Sequence, residues 1–245
     1  MWSVFSASTI GKRNLEQGVA GQDASHCVVT HDVLVAIVCD GAGSVPEGRT
    51  GSQFIAHTLA EQLSVTLQAE GSARPEATIQ SAIESVRTRL ADLAASRQLA
   101  LHDFSCTLLG CVATRRGGCF FHIGDGFAIQ QDAAGGSVLS RPENGEYADE
   151  TYFVTDENWR DHLRLTPLPA PEPGCVIGLM SDGTAPFAVN RARDGFFRPF
   201  IDPIAAFLRE ATAPNGNEAL RTLLESPRAC EISHDDKTLL LALVL

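Results

Sequence analysis

Aspartates stand at the ends of several apolar stretches in this chain, and glycine directly follows three of them. Asp40 ends the apolar run in VAIVCDGAGS, and Asp182 ends the run in CVIGLMSDGT. Asp125 lies between two glycines in CFFHIGDGFA, Asp23 precedes an apolar run in GQDAS, and Asp235 precedes the last run in HDDKTLLLALVL. Carboxylate oxygens are the ligands that Mg²⁺ and Mn²⁺ prefer in proteins. The five positions therefore indicate a site for divalent cations.

Each aspartate taken alone has a simpler interpretation, because Asp-Gly is a common turn pair. Five together favour a site, since strand ends from one sheet system converge on one edge. Aspartates crowded there would repel one another unless cations lay between them. The glycine after Asp40, Asp125 and Asp182 permits a sharp turn and lets a main-chain carbonyl approach an ion. We therefore interpret Asp40 as a metal ligand held by the strand that precedes it.

The elements that must position these aspartates follow from hydrophobic periodicity. Apolar and β-branched runs predict strands over residues 4–8, 26–30, 34–39, 106–113, 119–123, 127–131, 175–180 and 238–245, with weaker signals at 138–139 and 152–154. Helical spacing predicts helices over residues 50–67, 75–98, 203–209 and 217–224. Strands, two helices, more strands, two short helices and a closing strand indicate an α+β fold in one domain over residues 1–245.

Composition limits the function classes. The chain has 245 residues and a net charge of -11, which argues against nucleic acid or a membrane surface as the main partner. The acidity fits a cation site and also fits general solubility. Seven cysteines are scattered without a CxxC pair, which indicates reduced thiols, a cytoplasmic location and no zinc site of clustered Cys and His ligands. We see neither a signal peptide nor an apolar stretch near the length of a membrane span.

The order of the motifs carries a family resemblance. GQDAS, VCDGAGS, SCTLLGCVA, HIGDGFA, LMSDGT and HDDKTLLLALVL resemble, from Gly21 to the end, the metal-dependent serine/threonine protein phosphatases of the PPM (protein phosphatase 2C) family. The resemblance is strongest to its compact bacterial branch. It implies a central antiparallel β-sandwich of two sheets flanked by α-helical layers, which agrees with the element order above.

The resemblance also implies residue roles. Asp40 would bridge two ions of Mg²⁺ or Mn²⁺, the Gly41 carbonyl would bind one of them, and Asp182 and Asp235 would complete the shell of the second. Asp40, Asp182 and Asp235 are thus the expected catalytic residues. The implied reaction is hydrolysis of a phosphomonoester by a water that the two metals activate, without a covalent enzyme intermediate.

Three further positions have weaker counterparts in the family. Asp125, together with Asp182, matches the place of a third metal in bacterial members. Asp23 matches an acidic residue that acts through water or behind the ligands. The segment Ser105-Cys106-Thr107 matches a Gly/Ser-Thr-Thr segment that we interpret as structural.

The sequence departs from the better-known family pattern in the groups around the metals. Ala42 stands where Asp-Gly-His-Gly has the histidine that is the candidate acid for the leaving group. Asp236 replaces the usual asparagine before the last strand, either at the rim of the site or tuning the metal. His234 beside it is an alternative acid, although a solvated surface histidine is the simpler interpretation.

The phosphate-binding arginine of the family is also missing, because its position holds Gly18. Lys12, Arg13 or Arg49 could replace it, although a solvated surface charge is the simpler interpretation of each.

Residues 141–173 fall where the family has a variable flap near the site. Tyr152, Phe153 and Trp159 there either contact substrate or pin the flap to the core, and we favour the second interpretation.

We therefore expect a metal-dependent phosphatase that acts on phosphoserine and phosphothreonine in the protein substrate of a serine/threonine kinase. The alternative is a catalytically weak module with the same fold that binds a phosphoprotein or a kinase. A third interpretation is a hydrolase of small phosphate esters. The three acidic ligand positions favour the phosphatase, whereas Ala42 and Gly18 leave the alternatives open.

Overall fold

Ten strands form two antiparallel sheets of five strands each. The computed structural model describes residues 2–30, 33–70, 75–143 and 151–244. The strands are β1 (Trp2–Thr9), β2 (Ala24–Val29), β3 (Val33–Cys39), β4 (Leu108–Thr114), β5 (Gly117–Ile123), β6 (Phe127–Gln131), β7 (Ser137–Ser140), β8 (Arg164–Leu168), β9 (Val176–Met180) and β10 (Lys237–Val244). One sheet has the order β1-β10-β9-β6-β7, and the other has the order β2-β3-β4-β5-β8.

Helices cover the outer faces of the two sheets. They are α1 (Lys12–Gln17), α2 (Gly48–Glu70), α3 (Pro75–Ser96), α4 (Trp159–His162), α5 (Ala185–Ala188), α6 (Arg198–Glu210), α7 (Ala213–Leu224) and α8 (Pro227–Ile232), with a 3-10 helix at Leu101–Phe104. The apolar stripes of α2 and α3 pack on the second sheet, and those of α6 and α7 pack on the first. In the part of the chain that the structure describes, no helix combines the length and the apolar character that a membrane crossing needs.

Three apolar layers result, one between the sheets and one under each helical layer. Residues of β3 alternate between them: Leu34 and Val38 enter the layer between the sheets, and Val35 and Ile37 pack under α2 and α3. All seven residues of β3 are buried, as is nearly all of β10. Because β3 and β10 are buried on both faces, their sequences are continuous apolar runs. The polar Asp40 that follows the first of these runs therefore marks where β3 ends.

Three elements differ from the sequence predictions. The strand predicted over residues 152–154 is wrong: Val154 donates one backbone hydrogen bond to the Cys106 carbonyl, and no strand forms there. The edge strand β8 was not predicted because it contains Pro167, which pairs opposite Cys119 at the rim of its sheet. Helix α6 begins five residues before the predicted helix, at Arg198, and contains Pro203.

Candidate active site

Strand register places Asp23 beside Asp40. In the antiparallel pair of β2 and β3, Ala24 lies opposite Cys39. Asp23 immediately precedes β2 and Asp40 immediately follows β3, so the two carboxylates are neighbours at one end of the sheet. Burial, followed by the charge of Asp23, raises the pKa of Asp40, so the two carboxylates interact directly.

The same end of the other sheet collects the remaining aspartates. Met180, the last residue of β9, lies opposite Leu239 of β10 on one side and opposite Phe127 of β6 on the other. Asp182 therefore follows β9 beside the segment that leads into β10, which contains Asp235, and beside the β5–β6 turn, which contains Asp125. The register of β6, β9 and β10 thus explains how the strand ends bring Asp125, Asp182 and Asp235 to one edge of the sheet.

The loop after β3 is held closely on both sides. The backbone N–H of Asp40 donates to Oγ1 of Thr107 (2.9 Å), and the Thr107 N–H donates to the Asp40 carbonyl (2.8 Å). Gly41 pairs with Cys106 in an isolated bridge, and a Cβ on Gly41 would overlap the backbone of Gly48 at the start of α2. Only glycine permits this approach, and Thr107 has the structural role that the sequence indicated.

The turn after β9 is packed just as tightly. A Cβ on Gly183 would overlap the carbonyl of Asp236, so glycine at this position lets the turn lie against the segment that carries Asp235. The Lys237 side chain, which is 1% exposed, donates from Nζ to the Asp235 carbonyl (3.0 Å) and fixes that segment from the other side. The relative position of Asp182 and Asp235 is therefore set by main-chain contacts.

Asp23 and Asp125 are each oriented by a hydroxyl group. Ser181 Oγ donates to Oδ2 of Asp23 (2.7 Å), and Thr151 Oγ1 donates to Oδ2 of Asp125 (2.8 Å). Asp23 is only 9% exposed, whereas Asp125 is less deeply placed. This agrees with the expectation that Asp23 lies behind the other carboxylates.

Burial and the neighbouring negative charges raise the pKa values of Asp23, Asp40 and Asp182. Burial, followed by the negative charges of Asp125 and Asp235, raises the pKa of Asp182 to about 7. Burial also raises the pKa of Asp23 to about 6. The pKa of Asp40 is raised well above its ordinary value by burial and then by the charges of Asp23, Asp182 and Asp125. All five aspartates thus interact electrostatically in one cluster.

The cluster has the chemistry of a cation site. Oδ1 of Asp23 and Oδ1 of Asp182 are buried and have no hydrogen-bond partner. Within the described residues, no three of the five carboxylates bring oxygens within 4.8 Å of one another. Mg²⁺ commonly uses one or two carboxylates and keeps several waters. The separated carboxylates therefore suit hydrated ions better than one closed cage.

Asp236 has a structural role, which the sequence did not reveal. It is 3% exposed, and its carboxylate accepts hydrogen bonds from the N–H of Gly11 (2.6 Å), the N–H of Gln22 (2.6 Å) and Nδ2 of Asn14 (3.0 Å). The side chain is neither at the rim nor among the candidate ligands. It joins the start of α1 and the segment before Asp23 to the start of β10.

A cavity of about 1380 Å³ adjoins the aspartates. Its lining distinguishes the three basic residues that could bind phosphate in place of the family's arginine. Arg13, Asp125, Asp182 and Asp235 line it. Helix α1 begins after Gly11 and ends at Gly18, whose φ of 67° closes the helix in the left-handed conformation. Lys12 instead forms an ion pair with Glu16 (3.8 Å), and the exposed Arg49 lies outside the lining.

The predicted flap reaches the site with one end and the core with the other. Thr151 and Pro142 line the cavity. Trp159 is 1% exposed in the core under α2 and α3, and Tyr152 packs against the same core and stacks on His162 with ring centroids 3.4 Å apart. The pinning role is thus confirmed for Trp159 and Tyr152, while residues 144–150 lie outside the described part of the chain.

Comparison with known proteins identifies the family. The family model described as protein phosphatase 2C matches residues 10–225. The chain is 30% identical over 253 residues to serine/threonine-protein phosphatase 3 of Escherichia coli (strain K12), covering 99% of this chain and 98% of that protein. The chain belongs to the protein phosphatase 2C family.

Solved structures support the same fold. A bacterial serine phosphatase matches with a TM-score of 0.68 at 16% identity, covering 100% of this chain and 98% of that one. Stp1 from Staphylococcus aureus matches with a TM-score of 0.63 at 15% identity, covering 100% and 96%. RsbX, solved in complex with magnesium, matches with a TM-score of 0.57 at 13% identity, covering 100% and 96%. The predicted family, the α+β sandwich and the activity of a serine/threonine protein phosphatase are confirmed.

Proposed function

We propose that the protein hydrolyses phosphoserine and phosphothreonine in proteins with Mg²⁺ or Mn²⁺ bound at Asp40, the Gly41 carbonyl, Asp182 and Asp235. The observation that supports this most strongly is the convergence of buried, mutually repelling carboxylates on a cavity whose lining also includes four arginines, Arg13 among them. Bound Mg²⁺ or Mn²⁺ supplies an acidified water and neutralises charge on phosphate oxygens.

The protein side chains contribute charge and position. Asp40, the Gly41 carbonyl, Asp182 and Asp235 would hold two ions, and Asp125 with Asp182 would hold a third. Asp23 accepts from Ser181 Oγ, and its negative charge lies behind Asp40 and adds to the charge that draws a cation to the site. Both Asp40 and Asp182 must lose a proton to act as ligands, and their raised pKa values favour activity above neutral pH.

Arg13 is the proposed phosphate-binding residue in place of the position occupied by Gly18. A guanidinium group binds phosphate oxygens with two parallel hydrogen bonds. Arg13 lines the cavity beside Asp235, and its backbone N–H is fixed by the His234 carbonyl (3.1 Å). Arg13→Ala is expected to raise KM for a phosphopeptide, while Lys12→Ala, on the same helix but paired with Glu16, leaves KM unchanged. Equal effects of the two variants would contradict this role.

The leaving group requires a proton that Ala42 cannot supply. The Ala42 N–H is bound to the Ser105 carbonyl (2.9 Å), and its methyl group has nothing to donate. His234 is exposed and next to Asp235, which makes it the nearest candidate along the chain. A pH–rate profile that is unchanged in His234→Gln would rule it out.

The decisive experiment is removal of two ligands. Asp40→Asn and Asp182→Asn are each expected to lower turnover of a phosphothreonine peptide at saturating Mn²⁺ by at least about 100-fold, since a neutral amide binds a hard cation poorly. Asp92→Asn, an exposed aspartate on α3, serves as the matched control. Near-wild-type turnover in either ligand variant would contradict the assignment. An aryl phosphate assayed in parallel separates protein phosphatase activity from general ester hydrolysis.

Three broader proposals accompany this one. The layer of apolar residues shared by both sheets supports a single domain over residues 1–245. All seven cysteines are free, and five are buried, which supports a reducing, cytoplasmic location. The cognate partner is a serine/threonine kinase that phosphorylates the same substrate. The comparisons do not favour the alternative of a catalytically weak binding module.

A further inference from the structure

A second cluster of metal-binding side chains lies where α2 covers the edge strand β2. His26 comes from β2, and His57 and Glu61 come from α2. Nε2 of His26 lies 3.0 Å from Oε1 of Glu61, and the rings of His26 and His57 meet edge to face with centroids 4.5 Å apart. One donor atom from each of the three residues lies within 4.8 Å of the other two.

The backbone positions these side chains without a flexible loop. Ala24 and Val28 of β2 pack against the core under α2, so the strand's alternation also directs His26 toward that helix. His57 and Glu61 are four residues apart and share one face of the helix. Because β2 is paired to β3 and α2 is anchored by its buried apolar stripe, both backbones are fixed before any ligand binds.

Two imidazoles and one carboxylate form a ligand set that Zn²⁺ uses in proteins, with a fourth position left for water. Bonds of about 2.0–2.1 Å in tetrahedral geometry require donor atoms about 3.4 Å apart. His57 and Glu61 are exposed, and His26 is partly exposed, so small side-chain rotations can close the present separations. Imidazole favours Zn²⁺, Cu²⁺ and Ni²⁺, whereas Mg²⁺ prefers oxygen ligands.

We propose that His26, His57 and Glu61 form a second metal site that takes Zn²⁺ in preference to Mg²⁺. His26 is three residues beyond Asp23 along the chain, about 10 Å at the rise of a strand, so the site is separate from the five aspartates. Because the ligands come from a strand and a helix, bound Zn²⁺ joins β2 to α2 and stabilises the native state relative to the unfolded chain.

Zinc titration of the full-length protein tests the proposal. Millimolar Mg²⁺ is added first to occupy the acidic cluster, and Zn²⁺ is then titrated in competition with a chromophoric chelator. We expect one Zn²⁺ per wild-type chain, with affinity at least about tenfold weaker in His57→Ala and in Glu61→Ala. His102→Ala is the matched control, because His102 also lies beside a carboxylate, that of Asp103 (3.4 Å). It is expected to bind Zn²⁺ like the wild type.

Two further measurements separate the two sites. Cu²⁺ bound at the proposed site is expected to show nitrogen hyperfine splitting from two imidazoles in its EPR spectrum. The pattern is expected to reduce to that of one imidazole in His57→Ala and to stay unchanged in Asp182→Asn. Metal-free His57→Ala is expected to melt at the wild-type Tm, since the side chain is exposed, but Zn²⁺ is expected to raise Tm only in the wild type. A zinc affinity in His57→Ala equal to that of the wild type, or zinc binding that is abolished in Asp182→Asn alone, would overturn the proposal.

Discussion

Replacing Asp182 by asparagine is expected to stabilise the metal-free protein while removing its phosphatase activity. Burial and the charges of Asp125 and Asp235 raise the pKa of Asp182 from its ordinary 3.8 to about 7. Above that pH the native chain holds the ionised carboxylate against its neighbours, whereas the unfolded chain does not. The neutral amide removes this unfavourable interaction, so a loss of function accompanies a gain of stability.

The size of the effect follows from the pKa. A rise from 3.8 to about 7 corresponds to about 4 kcal/mol at 1.36 kcal/mol per pKa unit. Solvent reaches part of the side chain, and the neighbouring aspartates can bind protons in its place, so we expect about 1–3 kcal/mol at pH 8. For a chain of this length, each kcal/mol raises Tm by about 2–4 °C.

The sign of the pH dependence is also fixed. The native state binds this proton more tightly than the unfolded state, so the group's contribution to the free energy of unfolding is full below about pH 4 and is lost as the pH rises through about 7. In EDTA, the stability advantage of Asp182→Asn over the wild type should therefore grow between pH 5 and pH 8.

Thermal unfolding followed by circular dichroism in EDTA at both pH values measures this advantage. Asp92→Asn removes an exposed negative charge from α3 and is expected to change Tm only slightly at either pH. The reasoning would be refuted by an Asp182→Asn protein that melts at or below the wild-type Tm at pH 8. It would equally be refuted by an advantage of the same size at pH 5.

Three further tests concern metal binding, protonation of the leaving group, and the hydrogen bonds that Asp236 accepts from the main chain. Mn²⁺ at 100 times its Kd should stabilise the EDTA-treated wild type against unfolding by about 2.7 kcal/mol. At a fixed Mn²⁺ concentration the stabilisation should be larger at pH 8 than at pH 5. If calorimetry shows no shift in Tm at millimolar Mn²⁺, the metal site is contradicted. Ala42→His should raise kcat selectively on a phosphothreonine peptide, by up to the ~10²–10⁴-fold of general acid catalysis, whereas equal gains on an aryl phosphate would place the acid elsewhere. Asp236→Ala should lower the free energy of unfolding by about 2–6 kcal/mol, because two buried N–H groups lose their acceptor; an unchanged urea midpoint would contradict the clamp.

The positions of the candidate metal ligands could be predicted because their signals are local. Asp40 and Asp182 each follow a strand that is apolar throughout and precede a glycine, so a short segment of sequence contains both the strand end and the turn. The sequence alone could not show which strand ends lie next to each other in the sheets. The pairing of Ala24 with Cys39, which places Asp23 beside Asp40, depends on register across the whole sheet.

Residues whose roles depend on tertiary contacts were harder to predict. Helix α1 has six residues and none is buried, so it lacks the apolar periodicity that would reveal it, although Gly11 and Gly18 mark its ends. Asp236 looks like a duplicate of Asp235 in the sequence, yet its partners lie more than 200 residues away. The His26 cluster was missed because its ligands come from two elements whose alignment depends on how α2 lies over β2.

The structure divides the site into a part that the fold fixes and a part that it leaves free. Gly41 and Gly183 touch backbone where any Cβ would overlap, so substitutions there disturb the sandwich and the ligands together. A Cβ on Gly18 would meet nothing within 4 Å, although its positive φ still favours glycine, and Ala42 is partly exposed. The candidate metal ligands are thus coupled to folding, whereas the positions of Gly18 and Ala42 are not. This explains how Ala42 and Gly18 can depart from the family pattern without loss of the fold, and why the proposed phosphate-binding residue, Arg13, can come from a short exposed helix.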